Sequence, residues 1–168
     1  MKNNRFYYLV EGECEKKLIE TFKEQKNMII PGKVSLFNAV QSHITPAFLR
    51  TISENTTVIL VFDTDTESID ILSENIKLLS QSCHVKEVWC VMQVKNLEDE
   101  FIRTTDIDSI KHLTGSRSNK DSKHDLITEK RLYEKLLVHN FDFSKFWVTS
   151  PEGKFAAFKN DGRKIKQK

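Results

Sequence analysis

Glu11, Asp63 and Asp65 are the residues of this chain whose types and spacing best suit metal-assisted chemistry. Glu11 follows the strand-like run 5–10, and the two aspartates follow the apolar run Thr57-Val58-Ile59-Leu60-Val61-Phe62. In an extended chain, side chains two positions apart face the same way, so Asp63 and Asp65 bring two like charges together. Such a pair calls for a cation, and hard oxygen donors suit Mg²⁺ or Mn²⁺. A capping role at a helix starting near Thr66 accounts for one aspartate and less well for both. Glu98, Asp99 and Glu100 could add ligands for a second metal, Glu98 first among them; a favourable position near the positive end of a helix explains the same acids. Lys120 and Lys123, in a basic stretch with Arg117 and Ser118, are candidates for neutralising phosphate charge, Lys123 the preferred one, against the plain solubilising role of a surface lysine. Glu13 and Glu15 fit the first turn of a helix, and Glu15 is near enough to the acids to matter.

The elements that would hold these residues follow from the apolar pattern. Residues 5–10 read as a buried strand stopped by Glu11-Gly12. Cys14, Leu18, Ile19 and Phe22 share one face of a helix over about 13–26. Residues 28–30 and 34–37 bracket Pro31-Gly32 and offer one short or broken strand. Thr45-Pro46 starts a helix toward Ile52. The unalternating run 57–62 is how a strand covered on both faces reads, and belongs in the middle of a parallel sheet. Ile69, Leu72, Ile76 and Leu79 mark a helix, and 88–94 the next strand. This alternation predicts an α/β fold: an open, mainly parallel, Rossmann-like sheet flanked by helices, with a basic helical C-terminal extension. Beyond residue 95 the chain predicts a loop over 116–124, a helix over 125–139, an edge strand over 146–149, and a final stretch that is frayed or loosely helical. The expected division is a core over 1–95 and an extension over 96–168 packed on the same domain.

In open parallel sheets, ligands bind beyond the carboxyl ends of the strands, where all three acids fall. Leu9-Val10-Glu11-Gly12 before an amphipathic helix, and later Val61-Phe62-Asp63-Thr64-Asp65, resemble the signature of the TOPRIM domain. Topoisomerases, bacterial primases, ribosomal-RNA maturases, recombination mediators and nucleases of the overcoming-lysogenization-defect (OLD) type share that domain. The resemblance covers residues 5–95 through short motifs. It implies that Glu11 acts as general acid/base or helps hold metal, that Asp63 and Asp65 hold Mg²⁺, and that Gly12 lets backbone and substrate phosphate approach closely. Lys123 is similar in position to a lysine of the OLD-type nucleases. The implied activity is Mg²⁺-dependent phosphodiester cleavage of DNA or RNA, alone or with a protein partner in a larger assembly; by analogy, such a protein serves as an effector in bacterial defence. With 168 residues the chain is expected to hold neither a tyrosine-bearing breakage domain nor an ATPase domain, so a topoisomerase or complete primase is not the expected reading.

Composition bounds the alternatives. The 168 residues are 39% hydrophobic and 30% charged, as in soluble globular domains, with net charge +2. Residues 1–110 carry 12 Lys and Arg against 17 Asp and Glu, whereas residues 111–168 carry 14 against 7, so the second part is net +7. A basic part of this kind suits an anionic polymer, or is simply a solvated face. The opening residues show no export signal, no window is apolar enough for a membrane span, and Cys14, Cys83 and Cys90 form no CxxC pair, which together lead to an expected cytoplasmic protein. The histidines lack zinc-site spacing, and no Gly-rich nucleotide loop or GxSxG appears. Asp63-Thr64-Asp65-Thr66 also satisfies the DxDxT pattern of haloacid-dehalogenase-like phosphatases with Asp63 as nucleophile, but the order of elements departs from that family. A non-catalytic nucleic-acid or protein-binding module is the remaining alternative.

Overall fold

The run of β-branched and apolar residues at Thr56–Asp63 forms the longest buried stretch of the chain, β3, and the rest of the sheet is built around it. In the computed structural model, which describes residues 4–25 and 28–167, β3 lies between β1 (Arg5–Val10) and β4 (Val85–Gln93). β2 (Lys33–Leu36) flanks β1, giving a four-stranded sheet of order β2-β1-β3-β4 with every pairing parallel. The protein therefore has the expected α/β fold, an open parallel sheet flanked by helices in the Rossmann-like manner. The register runs from Arg5 opposite Thr56 to Val10 opposite Val61, and ends with Asp63 opposite Gln93.

Strand alternation divides the core into two layers. Tyr8, Val10, Ile59, Val61 and Val91 face one side, against Leu18, Ile19 and Phe22 of α1 (Glu13–Glu24). Tyr7, Leu9, Val58, Leu60, Phe62 and Met92 face the other, against Leu72 and Leu79 of α3 (Asp70–Gln81). Between them, α2 (Pro46–Leu49) is a single turn, and the Thr45 hydroxyl accepts from Phe48 N at 3.2 Å as the predicted cap requires. Burying each Leu, Ile or Phe on either face contributes roughly 1.5–3 kcal/mol, and such contacts rather than helix propensity hold the short helices.

The second half of the chain completes the α1 layer. α4 (Leu97–Thr104), α5 (Ile110–Thr114), α6 (Asn119–Thr128) and α7 (Leu132–Val138) bury Phe101, Ile110, Leu113, Leu126, Leu132 and Leu136 in the cluster that holds Val10 and Val61. Four local expectations are corrected by the structure. Most of the predicted loop 116–124 is the first part of α6: the Ser118 hydroxyl accepts from Asp121 N at 3.2 Å, and burial of Ser122 and Leu126 gives the helix a packed side despite its polar sequence. The predicted single helix 125–139 is broken between Thr128 and Leu132, where the Glu129 carboxylate accepts from Arg131 N at 2.9 Å.

Residues 146–149 form no strand. Trp147 adopts a left-handed backbone (φ 59°), and Phe146 and Trp147 are fully buried around Phe22. The outer edge of β4 is instead satisfied by side chains: Asn160 Oδ1 accepts from Met92 N at 3.2 Å, and Asp161 Oδ2 accepts from Cys90 N at 3.2 Å. An exposed parallel edge is a template for unwanted pairing, and these contacts cover it.

The final stretch is also ordered where frayed or loosely helical chain was expected. Ile165 is fully buried, Ile30 N donates to Ile165 O at 2.8 Å, and Ile29 and Lys166 form an antiparallel bridge. Lys26, the expected end of the first helix, and the terminal Lys168 lie outside the described residues, as do Met1, Lys2 and Asn3. Among the described residues, no helix is long and apolar enough to cross a membrane.

Candidate functional site

β1 and β3 are sequence-distant but adjacent, and chain direction diverges beyond them: β1 leads through α1 to β2 on one side, and β3 leads through α3 to β4 on the other. This is the switch point where an open α/β sheet leaves a crevice at its carboxyl edge. A cavity of about 530 Å³ lies there, lined by Glu11, Gly12, Glu15, Asp63, Asp65 and Glu98, with Asn119 and Lys123 of α6 along its wall. Glu11, Gly12, Asp63, Asp65, Glu98 and Lys123 thus line one crevice, whereas Asp99, Glu100 and Lys120 do not.

Strand ends and helix starts set each side chain. Glu11 leaves β1 and reaches across to β3, where its Oε2 accepts from Asp63 N at 3.1 Å. Gly12 caps α1 with extended backbone (φ −148°), so glycine is not needed there for conformation. What it supplies is space, because a Cβ at this position would stand 3.0 Å from Glu15 Oε2. The chain beyond Asp63 is tied to the end of β4: Thr64 N donates to Lys95 O at 2.9 Å, and Lys95 N donates to the Thr64 hydroxyl at 2.8 Å. Asn96 caps α4 by accepting from Asp99 N at 3.1 Å, which sets Glu98 at the crevice, with Glu98 Oε1 accepting from Ile110 N at 3.5 Å.

Glu100 has a different task. It is fully buried, accepts from Val94 N at 3.1 Å, Arg103 at 2.7 Å and Trp147 N at 3.0 Å, and does not line the cavity. Lys120 and Arg117 border a neighbouring depression with His124 rather than the crevice itself. Lys123 is the sole cation among the described lining residues. It extends from α6, whose Lys123 carbonyl lies 3.9 Å from the Cys14 thiol of α1. That thiol is held protonated: burial first, then the Glu15 charge, pushes it up to about 11.

The electrostatics are those of crowded acids. Burial, then the charges of Glu11, Glu15 and Asp65, pushes the Asp63 carboxyl up to about 8, with Lys123 opposing. Burial also raises Glu15, and Glu11 adds to that. Asp63 Oδ1 is buried without a hydrogen-bond partner among the described residues. Leaving such an oxygen unpaired costs on the order of 1–3 kcal/mol, and more when it is charged. Among the described residues, no group of three or more acids, histidines or cysteines is placed so that it could hold a metal ion. The donors are nevertheless all carboxylates on one crevice, one with an orphaned oxygen, and this chemistry fits a hard divalent cation that keeps several waters.

Reading the sequence alone overlooks two residues of this region. Asn119 lines the crevice because 119–128 is helix rather than loop. Gln93 closes β4 opposite Asp63, and its signal is that it is the one polar amide inside the apolar run 88–94. No family model matches the chain, and no curated protein or solved structure matches it either.

Proposed function

We propose that the protein is a Mg²⁺- or Mn²⁺-dependent, TOPRIM-type nuclease that hydrolyses phosphodiester bonds in DNA or RNA in the cytoplasm. The observation that carries this reading is the meeting of Glu11, Asp63, Asp65 and Glu98 on one crevice at the sheet's switch point, with Asp63 Oδ1 buried and unpartnered among the described residues. Asp63 and Asp65 would hold the cation, with Glu11 and Glu98 at its flanks. When bound, such an ion polarises the phosphodiester and stabilises the charge that develops on it.

The chain's own groups supply the rest. Glu11, anchored by the Asp63 amide, has a carboxylate at the crevice that can take a proton from an attacking water. The water oxygen forms a new bond to phosphorus, the ester P–O bond breaks, the leaving oxygen takes up a proton from solvent, and Glu11 returns the proton that it took to solvent. Lys123, facing the acids, neutralises negative charge on the phosphate or on that leaving oxygen. Gly12 keeps the floor open beside Glu15. The basic surface of α6, with Arg117 and Lys120, lies beside the crevice and suits the flanking phosphates of a polymer. A protein partner within a larger assembly is compatible with this reading, as is the role of a defence effector.

A second reading, a non-catalytic TOPRIM-like module that binds nucleic acid or protein, draws on the open arrangement of the acids, since among the described residues no group of three or more is placed to hold a metal ion. The deciding experiment is calorimetric titration of Mn²⁺ and Mg²⁺ into the protein and an Asp63→Ala/Asp65→Ala variant, with nicking of DNA and RNA assayed on the same samples. Binding and cleavage that both vanish in the variant establish the nuclease. No binding at millimolar metal moves the protein to the second reading. Lys123→Met is expected to keep metal binding and to lower cleavage by about 10²-fold or more, the usual cost of losing one charge-stabilising group.

A further inference from the structure

Gln93 is fully buried, and neither its amide nitrogen nor its amide oxygen has a hydrogen-bond partner among the described residues. A buried amide left unpaired on both atoms is unusual, because such groups are almost always satisfied, and an exception calls for a reason. Its neighbour in the sheet supplies one. Gln93 ends β4 directly opposite Asp63, the last residue of β3, so the two are lateral neighbours at the carboxyl edge. Val61 and Val91, two residues earlier on each strand, both belong to the layer packed on α1, and alternation puts Asp63 and Gln93 on that same face. There Asp63 Oδ1 is also buried and unpaired. One group offers two N–H donors, and the other is an acceptor lacking one.

We infer that the Gln93 side-chain amide is the partner that orients the Asp63 carboxylate: the two side chains are not hydrogen-bonded as they stand, and a turn of the Gln93 amide lets it donate to Oδ1 so that the opposite oxygen is presented to the crevice. Gln93 is thus a positioning residue, acting through Asp63. Its importance for catalysis rests on the metal reading above, whereas its partnership with Asp63 does not. The backbone supports the geometry: Thr64 N donates to Gln93 O at 3.2 Å, which ties the residue after Asp63 to Gln93 itself. The inference also accounts for a polar side chain where β4 would otherwise end in an apolar residue. Groups that orient metal-binding carboxylates commonly change metal affinity by about 10–100-fold when removed.

Two measurements on the full chain test this. The first is a double-mutant cycle in metal-free buffer, with denaturant unfolding of the wild type, Gln93→Leu, Asp63→Ala and the double variant. A partnership predicts coupling of at least about fivefold in the unfolding constant, within the range for residues sharing a hydrogen bond. Additive effects overturn the inference, whatever the protein does with metal. The second is Mn²⁺ titration of Gln93→Leu and Gln93→Asn, with their melting temperatures recorded alongside. Gln93→Leu is expected to melt close to the wild type yet bind Mn²⁺ at least tenfold more weakly, and Gln93→Asn to recover part of the affinity. Unchanged Mn²⁺ affinity in a folded Gln93→Leu overturns the positioning role. A wild type that shows the coupling but binds no Mn²⁺ overturns the metal reading alone and leaves the Gln93–Asp63 partnership standing.

Discussion

Asp63 holds the sharpest conflict in the molecule: a carboxyl group partly withdrawn from water, crowded by Glu11, Glu15 and Asp65 and relieved by one lysine. The consequence for stability follows from its sign. Folding raises the carboxyl from its ordinary 3.8 to about 8, so between those values the folded chain retains a proton that the unfolded chain releases. The contribution is fully present below about pH 4 and is lost as pH rises toward 8. Without metal, the protein should therefore lose stability from pH 5 to pH 8. Asp63→Asn, which cannot ionise, should flatten that dependence and exceed the wild type at pH 8. Urea unfolding at the two pH values checks this, and a wild-type slope unchanged by the substitution would sink the electrostatic account. Glu100 is the contrasting case. Though equally acidic in sequence, it is saturated by two backbone amides and Arg103, and serves the fold rather than the crevice.

Among the elements, the C-terminal segment does more than its polar composition suggests. It covers the β4 edge through Asn160 and Asp161, then returns to bridge Ile29. Gly162 makes this course possible, since a Cβ there would lie 1.8 Å from Trp147 O, a backbone atom that cannot swing aside. Gly162→Ala should cost about 3 kcal/mol or more, in the range of overpacked or strained core sites. Gly115 provides the comparison: it ends α5 with φ 75° but has open space around it, so Gly115→Ala should cost only about 1–2 kcal/mol of backbone strain. Denaturant midpoints for the two variants measure the difference, and equal losses would show that the segment does not press on Trp147. α6 makes the complementary point. Its polar residues hid a helix that Ser118 caps and Leu126 anchors, and it is this helix that brings Lys123 to the acids.

At the scale of the whole molecule, charge and fold are arranged together. The first 110 residues contribute the acids, and residues 111–168, net +7, contribute the wall that carries Lys123 and the nearby Arg117 and Lys120. If nucleic acid crosses that wall, an Arg117→Glu/Lys120→Glu variant should bind it more weakly. It should also lower the slope of log affinity against log salt by about 2, roughly one for each lost phosphate contact. Its Mn²⁺ affinity should be unchanged, because neither residue lines the crevice. Fluorescence anisotropy over a salt series reads the slope. An unaltered slope would mean that the strand takes another path, or that the basic surface is only a solvated face.

Some of this was legible in the sequence because it is local. A buried parallel strand announces itself as an unbroken apolar run, an amphipathic helix as a stripe, and acids just past a strand as residues at the sheet's carboxyl edge, so the α/β order and the candidates Glu11, Asp63, Asp65 and Glu98 needed no coordinates. Other features depend on partners far away in the chain. Whether 119–128 is helix turned on what its few apolar residues could bury, and whether 146–149 is strand turned on Phe22 and the side chains of Asn160 and Asp161. Only the fold separates Glu98 from Glu100, two residues apart, one at the crevice and one buried beneath a tryptophan's backbone. It alone sets Gln93 beside Asp63, because lateral register is decided by pairing between strands and leaves almost no mark on either strand's own sequence.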